Sequence, residues 1–145
     1  MTSFARIRDL AKQEERLRWA VERQTAKCTR STTTYSDGPK GGGSGQRMEE
    51  DVVRLVMLKE QHAAIEAELE AERAYLGGYV RQLKDGTQRT AMTMRYMNNM
   101  RIVEIGDTMG YSERQVFRLL QRAESIIIQR QKAREGRKKD VSACQ

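Results

Sequence analysis

The sequence predicts an all-α protein, and three features of the chain support this prediction. Apolar residues recur three, four or seven positions apart over most of its length, which is the spacing that lines one face of a helix. There is a single proline, so long helices meet few breaks. Aromatic residues make up only 6% of the sequence, which suits helices packed in pairs. We expect a coiled-coil-like helical hairpin over residues 1–85 and a helix-turn-helix over residues 86–130.

The first predicted helix spans residues 3–27 and is followed by a linker. Its narrow apolar stripe, which Glu14 interrupts, consists of Phe4, Ile7, Leu10, Leu17 and Val21. Residues 28–47 are rich in Ser, Thr and Gly and include the run GGGSG, so we expect a flexible linker there. A phosphate-binding loop is not expected at these glycines, because no GK[ST] sequence follows them and no apolar strand precedes them.

The second predicted helix begins at Met48 and ends near Leu76, and its apolar seam repeats every seven residues. The seam positions are Leu55, His62, Leu69, Leu76 and Leu83. We interpret His62, the only histidine, as a polar seam residue that sets the register, because no second metal ligand is evident in the sequence. The stripes of the two helices can pair as an antiparallel hairpin within one chain or between two chains of a homodimer. The sequence leaves both arrangements open.

A short joint separates the hairpin from the second predicted domain. Gly77 and Gly78 are expected to loosen or break the second helix, and the turn at residues 84–86 completes the joint. A scaffold helix then follows over residues 87–97. Its apolar edge consists of Ala91, Met94 and Met97.

The stretch 102–123 has the residue pattern of a helix-turn-helix. We expect Gly110 to end the first helix in a left-handed conformation and Ser112 to cap the second. Gly106 is expected where the two helices cross, and Tyr111 is expected to plug the turn. The predicted core of the motif consists of Ile102, Ile105, Gly106, Met109, Gly110, Tyr111, Val116 and Leu119.

The positive charge is concentrated around this motif. Residues 86–139 hold 12 Lys/Arg against 5 Asp/Glu, a net charge of +7, which equals the net charge of the whole chain. A basic surface of this kind suits contact with the phosphates of double-stranded DNA. The last residues, 131–145, are predicted to form a disordered basic tail. The residues predicted to contact phosphates are Arg101, Arg122, Arg130, Lys132, Arg134, Arg137, Lys138 and Lys139.

The second helix of the motif, predicted over residues 113–128, is expected to enter the major groove of DNA. If Val116 faces the core, the charged and amide side chains near the start of the helix face outward. Arginine matches the two acceptors of guanine, and glutamine matches the donor and acceptor of adenine. Phe117 either contacts a thymine methyl group or packs against its own scaffold. The residues predicted to read bases are Glu113, Arg114, Gln115 and Arg118.

Residues 92–123, MTMRYMNNMRIVEIGDTMGYSERQVFRLLQRA, resemble the region-four domain of bacterial sigma factors. The layout of the chain is also similar to that of small phage and prophage proteins related to late-gene activators of the ArpU and RinA kind. The resemblance implies a DNA-binding transcriptional regulator in the cytoplasm of a bacterial host. Carried over residue by residue, the sigma base-reading positions fall on Glu113, Arg114, Gln115 and Arg118. Glu113 and Arg114 invert the order that is common in sigma factors, so specificity for the sigma promoter element is not assumed.

Two other classes of function remain open at this stage. One is a DNA-packaging protein similar to phage small terminases, and the other is a module that binds RNA polymerase rather than DNA. An enzyme is not expected, because the carboxylates lie on exposed helix faces and the only histidine lies on a seam. No cofactor or metal is expected. No apolar run could cross a membrane, and the charged first 26 residues do not resemble a secretory leader, so Cys28 and Cys144 are expected as reduced thiols.

Overall fold

The computed structural model of the protein describes residues 2–33 and 44–143. Within these residues it contains five α-helices and one π-helical turn, and it has no strand there, so the all-α prediction is confirmed. No helix in the described ranges is both long and apolar enough to cross a membrane. Two compact units are formed, Met1–Ala71 and Glu72–Gln145. The elements are α1 (Ser3–Thr33), α2 (Ser44–Arg81), α3 (Gly86–Met92), the π-helical turn Thr93–Met97, α4 (Ile102–Met109) and α5 (Glu113–Ala143).

Both helices of the N-terminal unit extend into the predicted linker, whose limits of 28 and 47 were wrong. The helical end of α1 is rich in Ser and Thr, whose side chains often compete with helical backbone bonds. Here the hydroxyls of Thr25 and Thr29 donate to the backbone carbonyls four residues earlier, at 2.7 and 2.9 Å. Both hydrogen bonds lie within α1 and are compatible with its helical backbone. The glycine run of the predicted linker lies outside the described residues.

The first two helices pair in an antiparallel arrangement within the chain. The side-chain amide of Gln24 donates to the backbone carbonyl of Asp51 at 2.9 Å, and Glu14 lies 3.1 Å from His62. The later residue of α1, Gln24, contacts the earlier residue of α2, Asp51, and the earlier residue Glu14 contacts the later residue His62. The two helices therefore run in opposite directions. Gln24 is the one buried polar residue among the described positions, and its bonds to Asp51 satisfy the NH2 group of its side-chain amide.

The C-terminal unit begins at Glu72, so it includes the last turns of α2. The boundary predicted at residue 85 had placed these turns in the hairpin. These turns supply Leu76 and Val80 to the core, and α2 continues through Gly77 and Gly78 without a break. Burying each large apolar side chain contributes about 1.5–3 kcal/mol before the entropy cost is subtracted. The largest fully buried side chains in this unit are Leu76, Leu83, Met92, Ile105, Val116 and Ile127.

The predicted disordered tail is instead a continuation of α5, which runs to Ala143. The segment is rich in Gln, Lys, Arg and Ala, which are good helix formers. Arg130 holds the helix in place by donating to the carbonyl of Gln82 at 3.0 Å. The hydroxyl of Tyr79 lies beside Arg134 and raises the pKa of its guanidinium group. Local helix preference and these contacts together explain why the prediction of disorder was wrong for residues 131–143.

Candidate nucleic-acid interface

The turn between α4 and α5 is fixed by two glycines. Gly110 ends α4 with φ 75° and ψ 30°, a left-handed conformation that costs glycine little. The backbone N–H groups of Gly110 and Tyr111 both donate to the carbonyl of Gly106, at 2.8 and 2.9 Å. A Cβ atom on Gly106 would lie 2.6 Å from the carbonyl oxygen of Tyr111 and 3.7 Å from Val116. Glycine is therefore required at position 106 chiefly by the backbone of the turn, and less by the neighbouring helix as the sequence suggested.

The first turn of α5 is closed by a reciprocal pair of hydrogen bonds between Ser112 and Gln115. The backbone N–H of Ser112 donates to Gln115 Oε1 at 2.9 Å, and the backbone N–H of Gln115 donates to Ser112 Oγ at 3.3 Å. This is a capping box, and its S-x-x-Q pattern was readable in the sequence. The box holds the side chain of Gln115 toward the backbone of Ser112, and one of the two lone pairs of Oε1 is occupied while the box is closed. Its Nε2 group can still donate.

Two arginines stand on the exposed surface at the start of α5. Arg114 and Arg118 are four residues apart, so they share one face of the helix, and Val116 on the opposite face is fully buried. Within residues 2–33 and 44–143, neither arginine makes a salt bridge or a side-chain hydrogen bond. Glu113 is exposed in the first turn of the same helix. The predicted base-reading residues are thus together and outward-facing, except that the capping box holds Gln115.

A groove of about 320 Å³ lies beside this face. Tyr111 lines it and is 39% exposed, so the expectation that Tyr111 plugs the turn was wrong. The contact between the turn and α4 is made by the backbone of Tyr111, which leaves its ring at the surface. The residues lining the groove are Asp85, Thr87, Tyr111, Gln115, Arg118, Leu119 and Arg122.

Phe117 is 51% exposed, so its ring is not packed away in the scaffold of its own chain. Val103 on α4 is also exposed, at 48%. Among the residues of the predicted motif core, Ile105, Gly106 and Val116 are buried. The half-buried members of the predicted core are Ile102, Met109 and Leu119.

Arginine side chains elsewhere in this unit hold the scaffold that carries α5. Arg73 donates to the carbonyl of Tyr96 at 2.9 Å, and Arg95 donates to the carbonyl of Met100 at 3.1 Å. Arg89 donates to the carbonyl of Leu83 at the end of α2. These bonds satisfy carbonyls at points where helices end and no intrahelical donor remains.

A contact that the sequence did not reveal joins the π-helical turn to α5. The hydroxyl of Tyr96, which is buried, donates to Glu124 Oε1. The two residues are distant in sequence, and the π-helical turn shifts side-chain directions away from the regular helical spacing. For that reason no periodicity could have paired them.

The predicted phosphate contacts fall into three groups. Arg130 is half-buried and donates to the carbonyl of Gln82 just after α2, and Arg134 is exposed beside Tyr79 of α2. Arg101 is 80% exposed but pairs with Glu104, whose carboxylate accepts from the backbone N–H of Arg101 at 2.9 Å and from its guanidinium at 3.1 Å. These bonds hold the pKa of Glu104 below its ordinary value. The remaining predicted residues are exposed, namely Arg122, Lys132, Arg137, Lys138 and Lys139.

One protein family, described as "Protein of unknown function (DUF1492)", matches residues 29–127 of the chain. The matched range covers most of the chain and contains α3, α4 and the first half of α5, including the exposed arginine face. No curated protein and no solved structure matches the sequence significantly.

Proposed function

The chain belongs to the family described as Protein of unknown function (DUF1492), and from the geometry of its C-terminal unit we propose that it is a sequence-specific DNA-binding transcriptional regulator. The start of α5 would enter the major groove, where Arg114 and Arg118 would donate to guanine edges. The phage or prophage setting rests on the resemblance of residues 92–123 to sigma region four and on the layout of the chain.

The exposed pair of arginines is the observation that carries this proposal. Several other arginines of the unit donate to backbone carbonyls, whereas Arg114 and Arg118 are exposed and have no such bond within the described residues. Two unpaired guanidinium groups on the first turns of a helix provide the planar donors that guanine recognition uses. Gln115 would contribute its Nε2 donor, while its Oε1 already accepts from the backbone N–H of Ser112.

Phosphate contacts would come from two separated groups of cations. Arg101 and Arg122 lie close to the start of α5 in sequence, where they could fix its orientation on the backbone of the DNA. Arg137 lies roughly 28 Å further along the helix axis than Arg118, at 1.5 Å per residue. The cations near the end of α5 would therefore reach phosphates flanking the bases that are read, and not the same groove segment.

A direct test is a binding titration of the full-length protein against fragments of the genome that encodes it, with competitor DNA, at two salt concentrations. We expect one fragment to stay bound at the higher salt, because base contacts survive when the counterion-release contribution falls. If the protein binds every fragment equally, and this binding is lost at the higher salt, sequence-specific regulation is rejected.

Binding to RNA polymerase instead of DNA is a second candidate, and it is favoured by apolar exposure on the same unit. Val103, Tyr111 and Phe117 are 48%, 39% and 51% exposed, which is more apolar surface than phosphate contact requires. Capture of purified polymerase by the protein without DNA, together with loss of that capture in Phe117→Ala, would support this candidate. Retention of a DNA fragment without polymerase would support the regulator.

A further inference from the structure

Two polar interruptions in otherwise apolar stripes meet each other in the N-terminal unit. Glu14 interrupts the stripe of α1, and His62 interrupts the seam of α2. Glu14 Oε1 lies 3.1 Å from His62 Nε2, and the two side chains are only 17% and 20% exposed. A carboxylate withdrawn this far from water is costly unless a donor or a cation compensates it. At Glu14 and His62, a polar contact therefore replaces the apolar packing found elsewhere along these stripes.

A third metal-binding side chain lies within reach of the pair. Glu66 follows His62 by one helical turn, and its Oε1 lies 3.7 Å from the same His62 Nε2. One donor atom from each of the three residues lies within 4.8 Å of the other two. A neutral imidazole has one ring proton, so Nε2 can donate to only one of the two carboxylates. A divalent cation between the three atoms would bind all of them at once.

We propose that Glu14, His62 and Glu66 form a binding site for a divalent transition-metal ion, of which Zn²⁺ is the best fit. Imidazole nitrogen and carboxylate oxygen are both ordinary zinc ligands, and imidazole disfavours Mg²⁺ and Ca²⁺. Donor atoms around a tetrahedral zinc lie roughly 3.4 Å apart when the bonds are about 2.1 Å long. The separations of 3.1 and 3.7 Å from His62 Nε2 lie on either side of that value. Three protein ligands leave the fourth position to water.

The site would join the two helices of the hairpin, because Glu14 belongs to α1 and the other two ligands belong to α2. Such a link fixes the register of an antiparallel pair, and it is independent of the proposed DNA contact. Arg18 competes for Glu14, since its Nη1 lies 3.9 Å from the same carboxylate oxygen. Arg18 is 53% exposed, so it can turn into solvent when a metal binds.

The test uses full-length protein from which metal has been removed with a chelator. Zn²⁺ is titrated against a competing indicator, and thermal unfolding is followed with and without zinc. We expect one equivalent to bind and the melting temperature to rise with zinc concentration, because the ion binds the folded hairpin. Since thiolates also bind zinc, the titration is repeated in a Cys28→Ser, Cys144→Ser variant, which should retain the site.

Glu66→Gln and His62→Gln remove one ligand each, and we expect each to weaken zinc binding by at least about tenfold, since loss of even an outer-shell partner costs roughly 10–100-fold. Glu66 is 57% exposed, so its replacement is the safer variant if His62→Gln does not fold. Glu60→Gln removes another exposed carboxylate of α2 and should bind zinc as the unmodified protein does. Absence of a tight equivalent, its loss in the cysteine variant, or unchanged affinity in Glu66→Gln would overturn the proposal and leave a simple histidine–carboxylate hydrogen bond.

Discussion

Arginine residues of the C-terminal unit have two different roles that depend on what each guanidinium can reach. Arg73, Arg95 and Arg130 donate to backbone carbonyls and hold helix ends together. Arg114 and Arg118 face solvent on the first turns of α5. Removing a residue of the first kind would leave a carbonyl without its donor, whereas removing one of the second kind should leave the fold intact. Substitutions of exposed arginines can therefore report on binding alone.

Arg118→Ala is expected to weaken binding to the specific DNA fragment by roughly 1–3 kcal/mol, which is the range for one bidentate base contact. Binding to random DNA should change little, because phosphate contacts supply most of that affinity. Both affinities are measured by fluorescence anisotropy at one salt concentration. Arg23→Ala on α1 removes the same charge from an exposed position of the other unit and serves as the control. An equal loss on specific and random DNA would make Arg118 a phosphate contact.

Gly106→Ala should destabilise the C-terminal unit by about 1–3 kcal/mol, the usual cost of forcing extra atoms into a packed site. The added Cβ would lie 2.6 Å from the backbone oxygen of Tyr111, and a backbone atom in a closed turn cannot move away easily. The measurement is urea unfolding followed by circular dichroism. Gly136→Ala is the matched control, since a Cβ there meets nothing within 4 Å and alanine favours a helix. Equal stability of both variants would show that the turn can yield.

At the scale of elements, the short helices were predictable because their ends carry local chemical signals. Gly110 and Ser112 stop one helix and start the next through their own backbone and side-chain bonds, and α4 ends at Met109 as expected. The full length of α5 was not predictable in this way. Its middle turn is joined to the end of α2 by Arg130, whose partner Gln82 is 48 residues away in sequence. Periodicity along one helix contains no information about such partners.

The same limit applies to the candidate site. The outward face of α5 follows from the position of buried Val116, so Arg114 and Arg118 could be placed from spacing alone. The bond that occupies Gln115 required recognition of the capping box. Arg130 is indistinguishable in sequence from a phosphate-binding arginine, and only its distance to the carbonyl of Gln82 reveals the packing role.

The end of α5 allows a test of whether its cations meet phosphates. Replacing Arg137, Lys138 and Lys139 together by Gln is expected to reduce the slope of log affinity against log salt by about 0.9 for each phosphate that the variant no longer neutralises. Glutamine keeps helix preference, and Arg130 with its bond to Gln82 is left in place, so the fold should be unaffected. The control replaces Lys12, Arg16 and Arg23 of α1 by Gln, which removes the same charge. An unchanged slope in the first variant would place the end of α5 away from the DNA.

At the scale of the whole molecule, an exposed apolar stripe on α2 raises the question of assembly. Val52, Val53, Val56 and Met57 are 47–58% exposed, although the opposite face of α2 already packs within the hairpin. A groove of about 810 Å³ is lined by Val53 and Met57 of this stripe and also by Glu50 and Arg54. A two-fold contact between identical copies uses the same patch on both of them, and a patch with both signs of charge around an apolar centre can complement itself. We therefore propose a homodimer formed through the hairpin, which would present two α5 helices to two half-sites.

Val53→Glu is expected to convert the dimer to a monomer, because it would place a carboxylate of each copy in the apolar centre of the contact. The molar mass is measured by light scattering coupled to size-exclusion chromatography, over a range of protein concentrations. Val141→Glu changes another valine that is 66% exposed, near the end of α5, and should leave the dimer intact. If the unmodified protein is a monomer at all concentrations, the stripe has a different partner, and polymerase becomes the first candidate to test. A ring of many subunits would favour the packaging function over transcriptional regulation, because regulators that bind two half-sites need only two copies.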